Sequence, residues 1–162
     1  MPNFMPTLTT KKQLLTQEGL EKLKIEFEEL VKVKRPKVIE RVRQAREMGD
    51  LAENSEYDAA KEEQSQVEIR IAELEKILNN VQLITKPTTA ADFIVIGSQV
   101  VVEINDELHE FTIVGSLEAD PVNKKISNES PVGKAILGAK VGETLEVAAS
   151  PVKSKIKVLE IR

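Results

Sequence analysis

The sequence predicts an α+β protein: an N-terminal antiparallel coiled-coil helical hairpin followed by a small antiparallel-sheet domain with one short helix. Three observations carry that reading. Two long apolar-periodic stretches, roughly residues 16–48 and 55–84, run into and away from Gly49-Asp50-Leu51-Ala52-Glu53-Asn54-Ser55. A connection that short forces the helices to pack antiparallel. Beyond Lys86 the helical period gives way to short β-branched runs broken by turn signals.

Residues 1–15 read as an N-terminal extension, frayed or forming a weak first strand. Thr16 is the expected N-cap of the first helix, with Glu18 and Glu21 near the positive end of its dipole. The first seam is Leu20, Leu23, Phe27 and Leu30, resuming after Pro36 at Val38, Val42 and Ala45. The second is Tyr57, Ala60, Gln64, Val67, Ile71, Leu74, Leu78 and Val81, at coiled-coil spacing. In an antiparallel hairpin, facing residues have numbers that add to a constant. Leu20 with Val81, Leu23 with Leu78, Phe27 with Leu74 and Leu30 with Ile71 all give 101. Val38 with Gln64, Val42 with Ala60 and Ala45 with Tyr57 all give 102. The register therefore slips by one residue where Pro36 disturbs the first helix, which predicts a kink or local overwinding near Lys34–Pro36. At about 1.5 Å per residue the first helix spans on the order of 45–50 Å. It must project into solvent on the strength of its own seam.

Gly49 and Asn54 or Ser55 end one helix and start the next, so residues 49–55 form the tip of a hairpin over residues 16–84. Residues 85–91, with Pro87-Thr88-Thr89-Ala90-Ala91, read as a linker to a domain over residues 92–162. Val95–Ile104 alternates and ends at the turn signal Asn105-Asp106, which Glu110–Val114 answers as a second strand. Ser130-Pro131 opens a short helix that Gly138 closes. Thr144–Ala148 and Lys155–Ile161 complete the sheet.

Composition narrows the function classes. The net charge of −4 gives no global reason to expect binding to free nucleic acid, and the absence of Trp removes stacking platforms. With no Cys there is neither a disulfide frame nor a thiolate metal site, which fits a reducing cytoplasm. No apolar run approaches the roughly 20 residues needed to span a bilayer.

Asp50 and Glu53 stand three residues apart at the tip. Carboxylates at this spacing are common on helix surfaces, and the bland reading is that Asp50 or Asn54 caps the second helix while Glu53 sits near its positive end. Their location favours another. A solvated tip has no core to stabilise, and it has no concavity to form an active site of its own. It suits completing a partner's site, where two carboxylates and a first metal would hold a second Mg²⁺ over a phosphodiester. From Lys32 to Arg46 the first helix carries Lys32, Lys34, Arg35, Lys37, Arg41, Arg43 and Arg46 against only Glu40, facing Glu56, Asp58, Glu62 and Glu63. Cross-helix pairing on a solvated surface accounts for most of them. Arg46 and Lys61, near the tip, are placed to touch the phosphates of an RNA end. His109 has no ligand partners nearby in the sequence and is given no role.

The chain resembles the GreA type of bacterial transcript cleavage factor. The resemblance rests on Gly19-Leu20-Glu21-Lys22-Leu23, on Arg35-Pro36, and above all on the unbroken block from Ala45 through Gly49-Asp50-Leu51-Ala52-Glu53-Asn54-Ser55 to Lys61. Further on it rests on Gly97-Ser98, Ile113-Val114-Gly115, Glu118-Ala119-Asp120, Ile126-Ser127, Ser130-Pro131-Val132-Gly133-Lys134-Ala135 and Gly142-Glu143. It implies a C-terminal domain of FK506-binding-protein-like fold that docks at the rim of the secondary channel of bacterial RNA polymerase, while the hairpin enters the pore. It further implies that Asp50 and Glu53 help hold Mg²⁺ and the attacking water. The polymerase itself, not this monomeric cytoplasmic protein, then cuts the 3′ end of backtracked RNA. Arg46 and Lys61 match the basic spot that meets the RNA. Residues 1–11 and Pro151-Val152-Lys153-Ser154 depart from the family pattern without touching the tip.

Two rival readings stand beside this one. A Gre-like inhibitor plugs the same channel without promoting cleavage, but such proteins carry extra tip acids. A peptidyl-prolyl isomerase needs an aromatic-lined pocket, and residues 87–162 hold only Phe93 and Phe111.

Overall fold

The computed structural model describes residues 12–49, 54–85, 92–149 and 152–162, and it divides into two units. One is Leu20–Asn80; the other takes the residues before and after it.

The first unit is the hairpin. Helix α1 runs over Gln17–Glu29, a π-helical turn over Leu30–Lys34, α2 over Arg35–Glu47 and α3 over Ser55–Leu78. Leu30, Val38, Val42, Ala60, Val67, Ile71 and Leu74 form one buried cluster, with Leu23, Phe27 and Tyr57 packed against it. All of these are positions the two seams predict; Val31, which neither seam includes, packs against the cluster as well. Ion pairs across the hairpin show the same antiparallel order: Glu26 faces Arg70, Arg35 faces Glu68, and Arg41 faces Glu56 and Glu63.

The disturbance at Pro36 takes a different form from the one expected. The backbone N–H of Arg35 donates to the carbonyl of Leu30, five residues back, so this turn is underwound rather than overwound. Proline explains the sense of the change. In a regular helix its ring would clash with the carbonyl of Lys32, to which it has no N–H to offer, and a wider turn relieves both problems. The wide turn also takes up the surplus residue behind the register slip. Leu30 and Val38, on either side of it, are only 6% and 4% exposed.

The second unit departs from the expected boundaries at both ends of the hairpin. Helix α3 stops at Leu78 instead of reaching Ile84, and Val81–Leu83 forms a strand, β2. It pairs in parallel with β1, Gln13–Leu15, at the end of the stretch read as an extension. Asn79-Asn80 ends the helix, because Asn side chains compete for the backbone that a helix would occupy. Val81 consequently lies opposite Gln13 instead of continuing the seam toward Leu20. Leu15 is fully buried. Of the expected linker, only Thr85 lies among the described residues.

A five-stranded sheet forms the body of this unit. Its strands are β3 (Gln99–Ile104), β4 (Glu107–Val114), β5 (Lys125–Ser127), β6 (Thr144–Ala149) and β7 (Val152–Ile161), in the order β5-β4-β3-β7-β6. Every neighbouring pair is antiparallel except β4 with β5. Asn105 and Asp106 make the two-residue turn between β3 and β4, with φ of 51° and 67°. Two consecutive positive φ values match the right-handed twist of a hairpin, which is why Asn and Asp serve here. Strand β3 starts at Gln99 rather than Val95, because residues 95–98 form a turn in which the buried Ser98 hydroxyl accepts the N–H of Val95. Strand β5 was not anticipated. Helix α4, Pro131–Ile136, begins as the sequence predicts, with the Ser130 hydroxyl accepting the N–H of Gly133. The core gathers Val100, Val102, Phe111, Ile113, Ile136 and Ile156. The α+β class, with a mainly antiparallel sheet and one short helix after a helical hairpin, is the one the sequence predicts.

Candidate functional site at the end of the hairpin

The two helices are tied together at their far end by Asn54. Its side-chain oxygen accepts the N–H of Tyr57 at 3.1 Å, capping α3. Its side-chain nitrogen donates to the carbonyl of Ala45, in the last turn of α2, at 2.7 Å. The cap is legible in the sequence; the second bond is not, because it crosses from one helix to the other. Ala45 is 2% exposed and packs in the seam, so the acceptor is held in place. The clasp brackets the loop that carries the acids. Asp50 and Glu53 themselves lie outside the described residues.

Below the clasp, most of the basic residues of the first helix are neutralised. Arg35 donates twice to the Glu68 carboxylate, at 2.7 and 2.8 Å. Arg41 bridges Glu56 and Glu63, Arg43 holds Glu40 and Glu47, and Lys32 meets Glu28. Pairing therefore explains these four, as expected for a solvated rod. Glu68, rather than Asp58 or Glu62, supplies the partner for Arg35. Among the described residues Arg46 has no ion-pair partner, and Lys61 only donates to the Gln64 side chain at 3.0 Å. Both are exposed. Among the described residues the two basic residues the sequence singles out thus have no carboxylate partner, and the same holds for Lys34 and Lys37.

The ion pairs hold the rod's carboxylates in their charged form. Hydrogen bonds from Arg43 and then Gln44 bring Glu40 down to about 2. Arg70 lowers Glu26, and Arg41 lowers Glu56. A lowered native pKa contributes stability that is complete above the ordinary value and lost as pH falls through the native one. For Glu40 that window runs from 4.5 down to about 2. The hairpin should therefore lose stability on acidification through that window and be insensitive to pH near neutrality, which a thermal melt at several pH values would show.

The loop's donor set suits a hard cation. Mg²⁺ takes one or two carboxylates alongside waters and substrate phosphates. The amide of Asn54 is committed to Tyr57 and Ala45 and so is not available to an ion. Nothing comparable supports the isomerase reading: Phe111 is buried in the core and Phe93 is about half exposed. No helix among the described residues is long and apolar enough to cross a membrane.

Comparison with known proteins covers nearly the whole chain. Residues 13–83 match the family model for the N-terminal part of the transcription elongation factors GreA and GreB, and residues 88–162 match the model for their C-terminal part. The first match begins and ends with β1 and β2. The chain is 53% identical to transcription elongation factor GreA of Caldanaerobacter subterraneus subsp. tengcongensis, over 94% of this chain and 99% of that one. It is 50% identical to GreA of Acetivibrio thermocellus over 95% and 98% of the two chains. Among solved structures it resembles GreA factor homolog 1 of Thermus thermophilus at 28% identity, with a TM-score of 0.44 and coverage of 94% and 99%.

Proposed function

The chain belongs to the GreA/GreB family of transcription elongation factors, and from that membership we propose that it rescues backtracked bacterial RNA polymerase by stimulating cleavage of the nascent RNA. The observation that carries the reading is the Asn54 clasp. It ties together the ends of the two helices between which Asp50 and Glu53 lie in the sequence. The globular unit docks at the rim of the polymerase's secondary channel, and the hairpin brings Asp50 and Glu53 to the catalytic centre. There the two carboxylates would hold Mg²⁺ jointly with acids of the polymerase. The ion, when bound, supplies the positive charge that supports in-line attack of water on a phosphodiester. Asn54 holds the start of α3 against the last turn of α2, which keeps together the two helix ends that flank the acids. Arg46 and Lys61 meet phosphates near the 3′ end of the RNA, which positions the strand without reading its sequence. The protein has no active site of its own; it works in the cytoplasm, as a monomer, on the polymerase's site.

Incubation with a stalled, backtracked elongation complex tests this. The RNA should shorten from its 3′ end in the presence of polymerase and Mg²⁺, and not in the absence of either. A channel-plugging inhibitor would slow elongation and leave the RNA intact.

Docking and delivery should also separate, with boundaries set by the structure. Strands β1 and β2 belong to the globular unit, so residues 87–162 alone would lack part of it. A chain in which residues 20–80 are replaced by a short Gly/Ser loop should fold, compete with the intact protein for polymerase, and support no cleavage. Failure of this folded unit to compete would place docking elsewhere.

A further inference from the structure

The cross-helix ion pairs on one side of the hairpin leave a gap, and a groove lies in it. Toward the base, Arg70 donates to both oxygens of the Glu26 carboxylate, at 2.7 and 3.0 Å. Toward the tip, Arg41 holds Glu63. Bordered by Glu26, Arg70 and Glu63, a groove of about 370 Å³ has the buried Leu30, Val38 and Val67 beneath it and Lys34, Lys37 and Gln66 along its rim. Both lysines and Gln66 are exposed. The charge of Lys34 adds to the lowering of Glu26 that Arg70 causes, but Arg70 already takes both oxygens of that carboxylate. Where α3 could meet the two lysines with an acid, it offers the amide of Gln66 instead.

The π turn borders the same groove, and packing alone does not account for it. Seam pairs add to 101 before the turn and to 102 after it, so a first helix one residue shorter would keep the pairings on both sides in a regular helix. The seam has no need of the surplus residue. Single-residue insertions of this kind recur at functional sites. Lys34 is the last residue of the π turn, and Lys37 follows one turn later.

Resting on the cleavage reading above, we propose that this groove docks an acidic polypeptide segment of RNA polymerase within the channel that the hairpin enters. Charge complementarity selects the partner. Two ammonium groups without carboxylate partners, standing over an apolar floor, suit acidic side chains that flank an apolar one. RNA suits the groove less well, because no aromatic side chain lines it on which a base could stack. The groove lies on the order of 20 Å along the rod from the tip. It therefore adds grip to the docking of the globular unit without touching the acids or the basic residues near them.

Affinity is measured for polymerase free of nucleic acid and for a backtracked elongation complex. Three variants are compared with wild type: the double variant Lys34→Ala, Lys37→Ala; Gln66→Glu; and a control, Lys32→Ala, Lys76→Ala, that removes the same charge outside the groove. The double lysine variant should bind nucleic-acid-free polymerase about tenfold or more weakly, and the control within about twofold of wild type. Gln66→Glu should bind about threefold or more weakly, because it gives the lysines a carboxylate within the hairpin. For the same reason it should melt no lower than wild type, so its weaker binding does not come from unfolding. Cleavage at saturating protein should stay within about twofold of wild type in all three. Wild-type affinity in either groove variant would overturn the proposal. A loss seen only on the elongation complex would overturn it as well, since it would assign the lysines to RNA. If wild type binds polymerase and cleaves nothing, the cleavage reading alone fails and the affinities still decide the groove; if it does not bind at all, both fail.

Discussion

Asp50→Asn and Glu53→Gln should each reduce RNA cleavage by roughly 100-fold or more while leaving affinity for polymerase close to wild type. Loss of an outer-shell partner at a metal site typically costs 10–100-fold, so loss of a ligand should cost no less. Both substitutions keep the size of the side chain and remove only the charge that attracts the ion. Raised Mg²⁺ should partly restore the single variants, because a weakened ligand set is offset by mass action. Capping predicts another outcome: a loss of about 1 kcal/mol or less in helix stability, with cleavage retained. The structure gives the cap to Asn54, one of the two residues the capping reading offers. The N-cap of α3 is Asn54, which satisfies the N–H of Tyr57, so Asp50 is not needed there.

Leu74→Ala should destabilise the hairpin by roughly 2–5 kcal/mol, the range for removing a buried leucine side chain where the surroundings relax incompletely. Leu74 is fully buried in the seam cluster, against which Phe27 packs. Its neighbour Glu73 is exposed and touches only Arg70, at 3.3 Å, while Arg70 keeps its closer partner Glu26. Glu73→Ala should therefore cost about 1 kcal/mol or less. Urea unfolding followed by helical circular dichroism measures both. Equal losses would mean that the seam does not run through Leu74.

The two variants together also show what kind of information the sequence holds. The seam was legible because it is written in local spacing: each apolar residue announces itself three or four positions from the last. The constant sums add a long-range check, and they even located the surplus residue between Leu30 and Val38 that the π turn absorbs. What they could not give was the sense of the distortion. That depends on how a turn accommodates the ring of Pro36, not on the count of residues.

Strands β2 and β5, and the partner of the weak first strand β1, were hidden for a different reason. Each is three residues long, too short to show a period, and exists only through its partner. Gln13 finds Val81 across most of the hairpin, and no local signal in either segment points to the other. The hydrogen bonds from Thr16 to the Glu118 carboxylate are hidden in the same way, since the two residues are separated by 102 positions. At the tip, spacing identified the acids and the cap. Their assignment to a metal shared with polymerase came from the family resemblance and not from geometry.

The most direct test of that assignment is a mixing experiment. The Asp50→Asn, Glu53→Gln double variant is titrated against a fixed amount of wild-type protein on a backtracked elongation complex, and the rate of RNA shortening is followed. If the tip acids act inside the polymerase, the double variant should be inactive alone, occupy the channel with wild-type affinity, and suppress wild-type cleavage in proportion to its share of the bound protein. A double variant that shortens the RNA at the wild-type rate would contradict the account.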